Sequence, residues 1–331
     1  MANPTRIVFM GTPEFAVPSL QALLDADPEI VGRVVGVVTQ PDRPKGRGQQ
    51  LAPPPIKVLA RQAGLPVLQP AKMKDQDFLD TLRGWAPDVI AVTAFGRILP
   101  PAVLDLPPVG CINVHGSLLP RYRGAAPIQW AIINGETETG ITTMLMDPGL
   151  DTGPMLMRAT VPIHPTDTAG DLAARLAPLG GRLLVETIVG LKNGTLSPTP
   201  HDHTHATLAP LLKKEDGVLN WKDEAPALAN RIRGLTPRPG AYTYHGEERW
   251  QIWRAQAASV GCAEAEPGTI LEVTKDALRI ATGKGSLLIQ EIQPASGKRL
   301  SVGQYLAGHP VAAGALLAPS PPPPPLLHPL P

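Results

Sequence analysis

The sequence predicts an α/β fold, a doubly wound and mostly parallel sheet, followed by a small β-barrel, and two observations carry that prediction. Through Val189, continuous apolar strands alternate with segments of helical spacing, the pattern of a parallel sheet covered on both faces. From about Leu211 the pattern changes to short apolar segments separated by glycine and charge, as in a small barrel. A chain of 331 residues exceeds the usual single core, so two domains are expected. They are an α/β domain over 1–193, a polar linker over 194–210 and a barrel domain over 211–315, with a proline-rich tail over 316–331 that is expected to be disordered.

In chain order, the run 7–10 is the first strand, meeting Gly11-Thr12-Pro13, with Thr12 expected as a helix cap and Pro13 as a tolerated first helical residue. Pro18 is expected to delay or bend that helix. Residues 34–38 form a second strand, 56–63 a helix stopped by Gly64, 67–68 a short strand, and 88–92 and 111–114 two more buried strands. Residues 168–189 have helical spacing, which Pro178 and Gly180-Gly181 are expected to interrupt. In the barrel, strands are expected at 217–221, 249–253, 268–271, 278–280 and 286–289, with a helix over 226–234.

Composition narrows the function. The apolar fraction is 43%, no run is long enough to span a bilayer, and the first residues lack a signal peptide's apolar core, so a cytoplasmic protein is expected. Two cysteines, Cys111 and Cys262, are too few for a disulfide framework or a cysteine-based zinc site. A net charge of +1 means that any nucleic-acid contact rests on local basic patches, and aromatics at 4% disfavour a single-strand stacking platform. The G-x-G-x-x-G fingerprint is absent after the first strand, which argues against a nicotinamide cofactor. His201, His203 and His205 alternate in the polar linker and are expected to be solvated, not metal ligands.

Residues 110–127 are the least generic stretch. Strand alternation sends Asn113 and His115 to one side and Ile112 and Val114 to the other, just before Gly116-Ser117 and a proline-closed loop. Two hydrogen-bonding groups side by side at a strand's end suit an oxygen that becomes negative in a reaction. Asp151 lies in a glycine-flanked loop, where a carboxylate can orient a histidine and raise its proton affinity. Residues 93–100 follow a central strand and mix apolar side chains with open backbone groups, as a flat, partly polar heterocycle requires.

Four stretches, in order, carry a family resemblance. They are Phe9-Met10-Gly11-Thr12-Pro13-Glu14-Phe15-Ala16, the run 38–48 containing Arg43-Pro44-Lys45-Gly46-Arg47, the run 113–129 with Asn113-Val114-His115-Gly116-Ser117-Leu118-Leu119-Pro120, and Met146-Asp147-Pro148-Gly149-Leu150-Asp151-Thr152-Gly153. To about residue 310 the sequence resembles the methionyl-tRNA formyltransferases. The resemblance implies a Rossmann-like formyltransferase domain, an OB-like C-terminal barrel, and formyl transfer from 10-formyltetrahydrofolate to methionine on initiator tRNA. It implies Asn113, His115 and Asp151 as catalytic residues, with Asn113 and a protonated His115 donating to the formyl oxygen. Folate contacts are expected at Phe95, Gly96, Ile98, Leu99, Ser117, Leu118, Leu119 and Pro120.

For tRNA the candidates are Arg43, Lys45, Arg47, Lys213, Lys214, Arg231, Arg233 and Arg238. Arg121 and Arg123 are further candidates for either ligand. No metal, no membrane and a monomer are expected. The Asn-x-His signature is shared by enzymes using the same folate, so an amino-sugar or purine-precursor formyltransferase and a formyltetrahydrofolate hydrolase are the alternatives. The basic insertion and the second domain point to tRNA.

Overall fold

The structure is a computed structural model, described over residues 4–45, 50–258 and 265–321. In chain order its elements are β1 (Arg6–Gly11), α1 (Val17–Asp25), β2 (Arg33–Val38), β3 (Arg43–Lys45), β4 (Gln50–Ala52), α2 (Pro55–Gln62), β5 (Val67–Leu68), α3 (Gln76–Gly84), β6 (Val89–Thr93), α4 (Pro101–Leu104), β7 (Gly110–His115) and α5 (Pro127–Ile133). These are followed by β8 (Glu138–Leu145), β9 (Met155–Pro162), α6 (Ala169–Lys192), α7 (Ala225–Leu235), β10 (Ala241–His245), β11 (Glu248–Ala258), β12 (Ile270–Val273), β13 (Leu278–Ala281), β14 (Ser286–Pro294), β15 (Leu300–Ser301), α8 (Val302–Leu306) and β16 (Leu317–Ala318). Two compact units emerge among the described residues. The first runs to Ile128 and adds Glu138–Pro162 and Asp171–Leu211; the second holds Gln129–Thr137, Ile163–Gly170 and everything from Leu212.

The first unit is built on a sheet of order β5-β2-β1-β6-β7-β8-β9. Pairing is parallel from β5 through β7 and antiparallel across β8 and β9. Strands buried on both faces need apolar side chains at every position, and β6 shows it, with Val89, Ile90, Ala91, Val92 and Thr93 all buried. The parallel strands end on one edge, where the loop after β1 bonds the loop after β6 through Thr12 and the Phe95 carbonyl.

Three local expectations are corrected in this unit. Thr12 does not cap a helix: its hydroxyl donates to the Phe95 carbonyl at 3.0 Å, and a short 3-10 turn over Glu14–Ala16 precedes α1. Pro18 does delay that helix, sitting within its first two positions. The long helix α6 runs unbroken from Ala169 to Lys192 with Pro178 inside it. Burial of Leu172, Leu176, Leu183, Leu184 and Ile188 holds it against the sheet, outweighing one lost backbone hydrogen bond. Gly180 marks a close approach, because a Cβ there would lie 2.9 Å from a methyl of Val114 on β7.

The third correction is narrower: residues 194–210 are mostly exposed, as expected of a polar linker, but backbone hydrogen bonds and one buried histidine tie the stretch down. Thr199 and Met155 exchange backbone hydrogen bonds of 2.7 and 2.8 Å, and Ala209 donates to the Arg123 carbonyl at 2.7 Å. His201 is buried at 7% exposure.

The second unit carries the antiparallel order β12-β13-β14-β11-β10-β16, with β15 beside β14. Its two ends join, since the Leu317 N–H donates to the Gly268 carbonyl at 2.9 Å and the Ile270 N–H to that of Ala315 at 2.8 Å. The interior is filled by Trp250, Ile252, Ile270, Leu278, Ile280, Leu287, Ile289 and Ile292, and α7 adds Leu228, Ile232 and Leu235. The strand expected at 217–221 reduces to a single bridge between Val218 and Tyr242, because the Asn220 side chain bonds Asp223 and turns the chain. No described helix is long and apolar enough to cross a membrane.

Candidate active site

Asn113 and His115 sit at the carboxyl end of β7, opposite Met144 and Thr142 of β8. Asp151 comes from the β8–β9 loop and adopts a left-handed backbone with φ of 49°. Asp147 builds that loop by accepting from the Thr152 hydroxyl at 2.7 Å and from the Gly149 N–H at 3.0 Å. Gly153 closes it, since a Cβ there would stand 1.9 Å from the Leu145 carbonyl oxygen. The three side chains meet. The Asn113 amide nitrogen lies 3.5 Å from Asp151 Oδ1, and His115 Nδ1 lies 3.6 Å from Asp151 Oδ2.

The loop that follows β7 fixes the trio from behind. His115 Nε2 is 2.9 Å from the Tyr122 carbonyl oxygen, and since a carbonyl only accepts, Nε2 carries the proton. Nδ1 is the nitrogen that faces Asp151. The Gly124 N–H donates to Asp151 Oδ2 at 2.8 Å. His115 keeps 6% of its side-chain surface and Asp151 15%, so both lie largely out of bulk water. Thr142 buttresses the turn by donating to the Ser117 carbonyl at 2.7 Å and accepting from the Leu119 N–H at 3.1 Å.

The residues expected to meet folate divide by burial. Phe95 and Leu99 are 2% and 3% exposed and belong to the core around Met10, Val38 and Val92, so their side chains hold the loop instead of facing a ligand. Gly96 has φ of 74°, and Ile98 is 87% exposed. The Phe95 carbonyl is engaged by the Gln40 amide at 2.8 Å as well as by Thr12. Ser117 is fully buried, donating to the Arg121 carbonyl at 2.6 Å, and Leu119 is fully buried too. Leu118 and Pro120 are half-buried. Of these residues, Gly96 and Ile98 are exposed and Leu118 and Pro120 keep part of their surface.

The basic residues divide as well. Arg43 is exposed on β3 and hydrogen-bonds the Gln40 side chain; β3 pairs with β4 from Arg43 opposite Ala52 to Lys45 opposite Gln50. Arg47 lies outside the described residues, as do residues 322–331 of the tail and Cys262. Lys213, Lys214 and Arg238 are exposed in the second unit. Arg231 is half-buried on the Asp216 carbonyl. Arg233 is committed internally, donating to Asn230 Oδ1 at 2.9 Å and to the His164 and Asp167 carbonyls at 3.3 and 3.2 Å. Burial lowers its pKa, against the pull of Asp167.

Arg123 also departs from expectation: it is 7% exposed and its Nη2 reaches Nδ1 of His201 at 2.7 Å and of His203 at 3.0 Å. Sequence reasoning missed this cluster because the histidines looked like polar filler. It missed Tyr122 and Gly124 because their contributions are backbone groups, which no residue type announces.

Known proteins are similar in both units. The family described as formyl transferase matches residues 5–188, and that described as formyl transferase, C-terminal domain, matches 211–310. A methionyl-tRNA formyltransferase of Trichlorobacter lovleyi is 52% identical over 95% of this chain and 97% of its own. Among solved structures, a sugar 3N-formyl transferase, WlaRD, in the presence of dTDP and 5-N-formyl-THF superposes with a TM-score of 0.65 at 18% identity, over 90% of this chain and all of the other. HypX from Aquifex aeolicus in complex with tetrahydrofolic acid gives 0.60 at 16% identity, over 92% of this chain and 47% of that one. At those identities the two structures speak for the fold.

Proposed function

The chain belongs to the methionyl-tRNA formyltransferase family, and on that premise we propose how its own residues move a formyl group to the methionine of initiator tRNA. The product, formylmethionyl-tRNA, serves translation initiation, which puts the reaction in the cytoplasm. The co-substrate is a folate, proposed to be 10-formyltetrahydrofolate. The observation that carries the mechanism is the convergence of Asn113, His115 and Asp151 around one point at the end of β7.

The α-amine of methionine attacks the formyl carbon, a new C–N bond forms, the bond to folate N10 breaks, and the proton lost by the amine ends on N10. Negative charge collects on the formyl oxygen meanwhile. Asn113 is suited to meet it, because among the described residues its amide has only the long 3.5 Å contact to Asp151 to give up. His115 contributes through Nδ1, since Nε2–H is held by the Tyr122 carbonyl; once protonated at Nδ1 it is an imidazolium beside the Asp151 carboxylate. Asp151 keeps that charge favourable and can relay the amine's proton toward N10, with the Gly124 N–H steadying one of its oxygens. No side-chain nucleophile and no metal enters the route. The exposed Ile98 and the backbone around Gly96 are proposed to receive the folate ring. Arg43, Lys45, Arg47, Lys213, Lys214 and Arg238 are proposed to meet tRNA phosphates.

The test is transfer of labelled formyl from 10-formyltetrahydrofolate. Charged initiator methionyl-tRNA should become formylated in proportion to enzyme. Release of free formate, or formylation of an amino sugar with the tRNA untouched, contradicts the reading.

A further inference from the structure

One segment grips residue 123 twice. The Arg123 N–H donates to the Thr207 carbonyl at 2.8 Å and its carbonyl accepts from the Ala209 N–H at 2.7 Å, while its guanidinium bonds His201 and His203. A guanidinium has only donors, so each imidazole accepts at Nδ1 and is neutral in this arrangement. The residues on either side of Arg123 hold the reaction groups. The Tyr122 carbonyl accepts a hydrogen bond from His115 Nε2–H, and the Gly124 N–H donates to Asp151. Tyr122 does so with φ of 62°, a backbone conformation that needs support from its surroundings. Gly124, with φ of 118°, leaves no room for a side chain, because a Cβ there would lie 2.8 Å from the Ala209 carbonyl oxygen.

We propose that Arg123, with His201 and His203 as its acceptors, is a positioning residue for formyl transfer: it locks residues 122–124, which set His115 and Asp151 at their working separation. The inference rests on the catalytic roles proposed above for that pair.

His201 makes the lock sensitive to acid. Protonation converts the Nδ1 acceptor into a donor and sets a second cation against Arg123. Burial, then the Arg123 charge and then His203 hold the His201 pKa below the ordinary histidine value, against the Gly153 backbone and Asp147. The nearby carboxylates are engaged elsewhere, Asp147 by Gly149 and Thr152 and Asp151 by Gly124. Asp202 bonds Thr204, with the exposed His205 at 3.6 Å. The lock is therefore closed at neutral pH and opens as pH falls below the usual histidine range.

Formylation of initiator methionyl-tRNA by the full-length protein, followed as kcat and KM against pH, tests this with Arg123→Ala and with the His201→Gln/His203→Gln double variant. Glutamine can accept from the guanidinium and does not titrate. Arg123→Ala should lose about 100-fold in kcat, the cost of a misplaced catalytic pair, with KM for both substrates within about threefold of wild type. With each protein scaled to its own plateau, the double glutamine variant should hold its rate to a lower pH than the wild type.

A folded Arg123→Ala protein with kcat within about threefold of wild type overturns the proposal. So do acid limbs that coincide in the wild type and the double variant, a comparison that decides the matter alone if Arg123→Ala does not fold. Failure of the wild type to formylate the tRNA strikes the functional reading instead.

Discussion

His115 and Asp151 are held from several sides, by a backbone carbonyl, a backbone N–H, Asn113 and each other, and keep 6% and 15% of their side-chain surface. The β3–β4 hairpin, in the same unit, is open: Arg43 is exposed and Leu51 is 70% exposed. The contrast separates two tasks. A group that stabilises charge in a transition state must already be oriented, since reorganising it during the reaction costs rate. A group that attracts a phosphate gains from remaining long, solvated and adjustable, and acts through a field that salt screens.

The comparison breaks most sharply at Asn113. Asn113→Ala removes a proposed oxyanion donor and should lower kcat by about 100- to 1000-fold, measured with saturating tRNA and folate, while leaving the melting temperature near wild type. Gly153→Ala tests whether orientation itself matters. A methyl there would collide with the Leu145 carbonyl, so the loop must shift and carry Asp151 with it. A loss of about 100-fold in kcat is expected from such displacement, and an unaltered rate would show that the loop tolerates movement.

Smaller effects belong to the open side. Arg43→Ala should reduce kcat/KM for tRNA by about tenfold at low salt, spare KM for folate, and flatten the slope of log kcat/KM against log salt by about one. Lys213→Ala should flatten that slope by a similar amount, since it too is exposed. The smallest effect is expected at Cys111, two residues before Asn113 on β7. Burial, reinforced by Asp105, pushes its thiol up to about 12, so it stays protonated near neutral pH and should resist alkylation until the protein unfolds. Rapid labelling of Cys111 in the folded protein, read by mass spectrometry, would contradict a purely structural role for the strand's interior.

Much of this was visible in the residues. The strand and helix alternation led to the parallel sheet, and the period of two put Asn113 and His115 on one side of β7. Burial was harder to see. Phe95, Leu99, Ser117 and Leu119 stand within or beside the motifs yet point inward, because loops that hold a ligand also need anchors in the core. Pro178 misled for a related reason: a local penalty is outweighed when the helix buries a full apolar face. Arg123 and His201 were out of reach, since they are 78 positions apart and nothing local marks a buried guanidinium.

The separation of chemistry from attraction is tested most directly by pairing Asp151→Asn with Arg43→Ala. Both variants are carried through single-turnover formyl transfer and through equilibrium binding of initiator tRNA. Asp151→Asn should lose transfer rate and keep tRNA affinity, and Arg43→Ala should keep the rate at saturating tRNA and lose affinity. Equal losses of rate and affinity in either variant would contradict the account.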